Sequence, residues 1–177
     1  MEIKIEELKV LFSEEQLQTR IKELACETNK FYNGEEVIAI CVLKGAVMFA
    51  VDLVKHLDMP LQLEFIRLSS YGSSTTTSGK VNAVDIQLPD LNGKNVLIIE
   101  DIVDTGLTAK FLIDFMNCNF HAKSIKFCSL LDKKITRKVE VEPDYYGFDV
   151  DDKFVVGYGL DYDGYFRNLK YIGYKEV

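Results

Sequence analysis

Val96 to Thr108 reads Val-Leu-Ile-Ile-Glu-Asp-Ile-Val-Asp-Thr-Gly-Leu-Thr, and this stretch decides the fold. Val96 to Ile99 are aliphatic without alternation, the pattern of a strand buried on both faces of a parallel sheet. Glu100 and Asp101 follow at its carboxyl end, the edge where open α/β sheets hold ligands. Asp104 to Thr108 then supply a third acid, a glycine, two hydroxyls and the first amides of a helix, the requirement for holding an anion such as phosphate. An aliphatic strand ending in paired acids also opens receiver domains and other Rossmann-like sheets. The complete run, with a third acid and Thr-Gly-x-Thr, is more specific and places an anion cradle beside a cation site.

Outward from this segment, hydrophobic periodicity predicts alternating strands and helices. Ser13 with Gln16 is a capping-box pattern opening a helix that ends before Gly34. A buried strand is expected at 37–43, a helix at 46–57, an alternating strand at 61–68, a polar segment at 69–80 and a strand at 81–87. Asn92-Gly93 marks a turn. The signature strand, a helix near 108–117 and a strand at 125–131 follow. Such repeats predict an α/β fold: a mostly parallel central sheet with helices on both faces. From Asp132 onward the chain is charged and tyrosine-rich, with short strand-like pieces at 145–148, 154–156 and 170–174. These read as a small cap, so one domain over 1–177 is expected, with its core at about 13–131 and its cap at about 1–12 and 132–177.

Composition sets the class of function. At 177 residues and 47% hydrophobic content the chain has room for one substantial core. No apolar run could span a bilayer, and Met-Glu-Ile-Lys-Ile-Glu-Glu lacks signal-peptide character, so a cytoplasmic protein without membrane contact is expected. A formal net charge of −7 argues against a general nucleic-acid surface. Cys26, Cys41, Cys118 and Cys128 show no Cys-x-x-Cys spacing and read as reduced packing residues, while the isolated His56 and His121 give little support to a histidine metal site.

Four further segments extend the pattern. Val42-Leu43-Lys44-Gly45-Ala46 puts a lysine and a glycine at the end of a buried strand; alone it reads as an ordinary turn with a solvated lysine. Ser69-Ser70-Tyr71-Gly72 and the small residues up to Gly79 form either a surface linker or a lid. The others are Leu130-Leu131-Asp132-Lys133-Lys134 and Phe154-Val155-Val156-Gly157-Tyr158-Gly159-Leu160-Asp161-Tyr162, leading to Phe166-Arg167. Alone, Lys133 reads as a solvated turn residue and Phe154 as core packing.

In this order and spacing the segments resemble the hypoxanthine-guanine phosphoribosyltransferase family in its short bacterial-type form, a type I phosphoribosyltransferase fold, over about 37–167. Leu107 departs from members that carry lysine there, which changes the turn's electrostatics without removing its backbone amides. The resemblance implies Mg²⁺-dependent transfer of a phosphoribosyl group from phosphoribosyl pyrophosphate to hypoxanthine or guanine, giving IMP or GMP and pyrophosphate in purine salvage. It implies Asp104 as the catalytic base. Phosphoribosyl pyrophosphate would contact Lys44, Gly45, Ser70, Tyr71, Glu100, Asp101, Asp104, Thr105, Gly106, Leu107, Thr108 and Arg167. Lys133, Phe154, Val155 and Asp161 would bind the purine, and Glu100, Asp101 and Asp161 would hold Mg²⁺. Further implications are a non-proline cis peptide at Leu43–Lys44, a closing Ser70–Tyr71 loop and a homo-oligomer, dimer or tetramer. Within this fold, regulators that bind phosphoribosyl pyrophosphate and act on nucleic acid are the alternative, but the chain shows no basic stripe or helix-turn-helix extension. A transferase for another base is the runner-up among enzymes.

Overall fold

The computed structural model describes residues 7–70, 81–85 and 87–175. Helix α1, Glu14–Tyr32, begins at Ser13 with the capping box complete: the Ser13 hydroxyl accepts from the Gln16 amide and the Gln16 side chain accepts from the Ser13 amide. Asn33 ends it in the left-handed region at φ 49°. Strand β2, Val37–Leu43, follows the short strand β1, Lys9–Phe12, in chain order. Helix α2 spans Val47–Val54 rather than 46–57. Its expected last turn tightens instead, with the His56 and Leu57 amides donating three residues back to the Leu53 and Val54 carbonyls.

Strand β3, Leu61–Ser70, is longer than its alternation suggested, and β4 covers Val81–Asp85. Strand β5, Asn95–Val103, also runs on past Ile99 because Glu100, Ile102 and Val103 still pair with Ser129, Leu131 and Asp132. Helix α3 is Leu107–Asn119, and β6 is Ser124–Asp132. Strands β7, Tyr145–Asp149, β8, Val155–Val156, and β9, Ile172–Tyr174, complete the order.

The main sheet has the order β4-β3-β2-β5-β6-β7, with only β4 antiparallel. On β2 and β5 the two faces diverge residue by residue. Ala39, Cys41, Leu97 and Ile99 pack with Leu17, Ile21, Phe49 and Leu53 of α1 and α2. Ile40, Val42, Val96 and Ile98 pack with Ala109, Leu112 and Met116 of α3. Burial of each such side chain contributes about 1.5–3 kcal/mol, so a strand apolar on both faces is held from both sides. All four cysteines are free; Cys41 and Cys128 are buried, and Cys26 and Cys118 are at the surface.

One boundary is corrected. The segment from 132 onward does not lie wholly outside the core sheet, because β7 adds to it in parallel with β6. No α-helix links them; a turn of 3-10 helix, Lys134–Thr136, and an extended stretch do, which is why helix-strand alternation put the 145–148 strand in the cap rather than the main sheet. A separate three-stranded sheet has the order β1-β9-β8 and joins the start of the chain to its end. It is fastened to the helical layer by Tyr158, whose hydroxyl donates to Asp52 Oδ2 at 2.6 Å while Gln18 donates to the same oxygen. Among the described residues no helix is long and apolar enough to cross a membrane.

Candidate active site

Strand order reverses between β2 and β5: the chain moves outward through β3 on one side and through β6 and β7 on the other. The crevice outside the carboxyl ends of these two strands is the ligand position of an open α/β sheet. At the end of β2 the Leu43–Lys44 peptide is cis and Lys44 is exposed. Gly45 is buried, and a Cβ there would overlap the carboxylate of Asp101 on β5. Gly159 is equally close on the other side, since a Cβ on it would overlap the Gly45 carbonyl. Asp101, Gly45 and Gly159 therefore form a stack that brings the 157–167 loop over the crevice.

Glu100 is 8% exposed, and its Oε2 is buried without a hydrogen-bond partner. Burial pushes the pKa of Glu100 well above the usual carboxylate value, and the neighbouring Asp101 charge adds to this. Burial also raises Asp101, an effect opposed by hydrogen bonds from Glu100 and the Ile102 amide and, least, by the Arg167 charge. Arg167 bridges the loop, donating to the Gly159 carbonyl at 2.7 Å and pairing with Asp161 Oδ1 at 2.6 Å. Asp161 Oδ2 accepts from the Gly164 amide.

The turn after β5 is held from the β6 side. Gly106 sits in the left-handed region at φ 81° and precedes α3; as a glycine it gives the helix no side-chain cap, and the Thr105 hydroxyl accepts from the Leu107 amide at 3.4 Å. Such a helix start offers N–H groups and the positive end of the helix dipole to an anion. A Cβ on Gly106 would meet Arg137 Cδ and Val141 Cγ1 at 2.7 Å, so the turn lies against the 137–141 segment. Arg137 donates to the Val103 and Asp104 carbonyls, to the Val141 carbonyl and to the buried Asp132 carboxylate. The Lys138 amide donates to the Thr105 carbonyl at 2.9 Å. Beside this brace, Lys133 is only 12% exposed; its ammonium donates to the Lys153 carbonyl at 3.2 Å and pairs with Asp152 at 2.9 Å. An ammonium has three protons, so one is left for a ligand.

Known proteins share this fold. Residues 11–163 match the phosphoribosyl transferase domain family. A hypoxanthine-guanine phosphoribosyltransferase of Bacillus subtilis is 48% identical over 165 residues, 93% of this chain and 91% of that one. The crystal structure of a hypoxanthine-guanine phosphoribosyltransferase from Bacillus anthracis, with a HEPES molecule in its active site, superposes with a TM-score of 0.89 at 44% identity, covering 99% of this chain and 100% of that one. A hypoxanthine phosphoribosyltransferase from Staphylococcus aureus gives a TM-score of 0.91 at 39% identity, over 97% and 93% of the two chains. The chain belongs to the hypoxanthine-guanine phosphoribosyltransferase family.

In this hypoxanthine-guanine phosphoribosyltransferase fold the residues singled out from the sequence are placed as follows. Lys44, Gly45, Glu100, Asp101, Asp161 and Arg167 surround the β2–β5 crevice, while Asp104, Thr105, Gly106, Leu107 and Thr108 form the turn and the first turn of α3. Val155 is buried in β8. Phe154 is 56% exposed with its ring edge-on to Tyr162, centroids 5.9 Å apart, so core packing does not account for it. Lys133 is not a solvated turn residue. Ser70 ends β3, whereas Tyr71 and the rest of the small-residue loop lie outside the described residues.

Thr136 and Arg137 went unnoticed in the sequence, and Asp132 was quoted within its motif without a role; an arginine five residues after an acid at a strand end was the available signal. Among the described residues no three His, Cys, Asp or Glu side chains gather around one point. The orphaned Glu100 oxygen beside Asp101 nevertheless suits a hard divalent cation of the Mg²⁺ kind, which takes one or two carboxylates and draws its other ligands from water and phosphate.

The Gly45 contact yields a first expectation. Gly45→Ala should drive Asp101 out of position, costing about 1–3 kcal/mol as overpacking and cutting kcat/KM more than tenfold, the order set by displaced catalytic geometry. Thermal unfolding and steady-state kinetics of the variant check it; wild-type values for both would show that the site tolerates the methyl group.

Proposed function

We propose that the chain transfers a phosphoribosyl group from phosphoribosyl pyrophosphate to hypoxanthine or guanine, giving IMP or GMP and pyrophosphate, in cytoplasmic purine salvage. The observation that carries this reading is the convergence, at the strand-order reversal, of an acid pair with a buried Glu100, a glycine-led helix start and a largely buried lysine.

The 5′-phosphate is assigned to the amides and hydroxyls of Thr105 to Thr108. In the reaction the bond from ribose C1′ to the pyrophosphate oxygen breaks as the purine nitrogen bonds to C1′, and Asp104 accepts the proton released from the purine ring. Negative charge on the departing pyrophosphate meets Lys44, the backbone at Gly45 and Arg167. Glu100 and Asp101 face the ribose hydroxyls, and with Asp161 they would hold Mg²⁺, which when bound neutralises pyrophosphate charge. Ser70 and Tyr71 are assigned to closing the site against water.

Phe154 would stack on the base and Val155 would meet its edge with backbone groups, beside Asp161. Lys133 donates to the 6-oxo group. Adenine has no acceptor there, so Lys133 would be left with an unmet donor against the wrong base. A homo-oligomer, dimer or tetramer, is part of this reading, supported by Met48 and Val51, which expose 40% and 38% on α2.

The test is direct: hypoxanthine, guanine, xanthine and adenine are each supplied with phosphoribosyl pyrophosphate and Mg²⁺, and nucleotide formation is followed. Efficient turnover of adenine alone would overturn the reading. Lys133→Met should weaken 6-oxopurine use by about tenfold to a hundredfold, the scale of a hydrogen bond to a charged group, while binding of phosphoribosyl pyrophosphate stays near normal. Competition between hypoxanthine and adenine reads this out, and an unchanged base preference would place the contact elsewhere.

A further inference from the structure

Thr136 ends the 3-10 turn that follows β6. Its hydroxyl is hydrogen-bonded to Asp104 Oδ1 and lies 3.1 Å from the Lys133 carbonyl. It thus joins the acid assigned to the purine ring proton and the lysine assigned to the 6-oxo group. On a 6-oxopurine the imidazole N–H at position 7 and the 6-oxo oxygen are adjacent on one edge, so both protein groups must be set at a fixed spacing to read that edge together.

A hydroxyl has one proton to donate. While Asp104 is ionised, the charge-assisted bond to Oδ1 is the stronger of the two choices. Oδ1 is thereby engaged, which leaves Oδ2 to take the purine proton. Once Oδ2 takes that proton the charge on Asp104 is gone, and the Lys133 carbonyl is a competing acceptor within reach. The other charged groups around the turn are committed elsewhere: Arg137 to backbone carbonyls and Asp132, Lys133 to Asp152 and the Lys153 carbonyl, Lys134 to Asp149, and Lys110 to Asp114. Lys138 approaches the turn through its amide.

We propose that Thr136 is a positioning residue that holds the Asp104 carboxylate at the purine's ring N–H and fixes its spacing from Lys133. The proposal rests on Asp104 as the base.

The experiment measures single-turnover rates with hypoxanthine, phosphoribosyl pyrophosphate and Mg²⁺ for Thr136→Val, Thr136→Ser, Asp104→Asn and the Thr136→Val/Asp104→Asn double variant. Thr136→Val is expected to lower the rate roughly tenfold, the scale of one hydrogen bond to a charged group. Affinity for phosphoribosyl pyrophosphate should hold. Thr136→Ser should restore the rate, and Thr136→Val should add nothing to Asp104→Asn. A wild-type rate in Thr136→Val, equal impairment of Thr136→Ser, or additive losses in the double variant would overturn the role of Thr136 while Asp104 stays the base. Normal turnover in Asp104→Asn would remove the base assignment and this role with it.

Discussion

Asp104→Asn is expected to bind both substrates and to lose turnover by about 10²–10⁴-fold, the contribution of general acid–base catalysis. Asn has the shape of Asp, and its amide oxygen can still accept from the Thr136 hydroxyl, so the turn keeps its form. What it lacks is a carboxylate able to take a proton from the purine. Asp104 is also exposed, and its replacement should leave stability within about 0.5 kcal/mol. Substrate affinity by calorimetry, thermal unfolding and single-turnover rates together check this. Turnover near the wild-type level in a folded variant would take Asp104 out of the base role.

Chelation should abolish turnover altogether, with excess Mg²⁺ restoring it. Glu100 is buried and Asp101 half-buried at the place assigned to a polyanion, and two carboxylates facing pyrophosphate would repel it without an intervening cation. Asp161 approaches the same crevice from the cap loop, where Arg167 and the Gly164 amide hold its two oxygens. Asp161→Asn weakens the Arg167 pairing and removes one anionic donor, and should raise the Mg²⁺ concentration for half-maximal rate about tenfold or more, the range seen when groups supporting a metal are altered. Metal titrations of both proteins decide it. Full activity in metal-free buffer, or an unchanged Mg²⁺ demand in Asp161→Asn, would place the acids in another role.

Much of this was legible before any coordinates because the relevant physics is local. An aliphatic run without alternation can only be stable between two layers, and Val96 to Ile99 are fully buried. Ser13 and Gln16 lie three residues apart, so their reciprocal caps need no tertiary help. Gly106 preceding a helix could be read as an anion-binding turn from its neighbours alone. Local signals also misled where a pattern stopped short of its element: β5 continues past the acids because β6 pairs with it, and β7 joins the sheet without a preceding helix to announce it.

The sequence by itself determined the layered α/β architecture, the acid pair following a buried aliphatic run and the glycine turn that opens α3, since hydrophobic period, caps and turn residues act between near neighbours. Tertiary structure alone decided which distant groups complete the site. Asp132 and Arg137 became a buried brace for the catalytic turn only when β6 lay beside β5. Lys133 changed from a surface lysine to a largely buried donor because the Asp152–Lys153 segment covers it. Gly45 acquired its requirement for no side chain from Asp101 on one side and Gly159 on the other, residues far away along the chain. Close approach between segments depends on how the whole chain packs, and a linear pattern of residue types contains no distance between them.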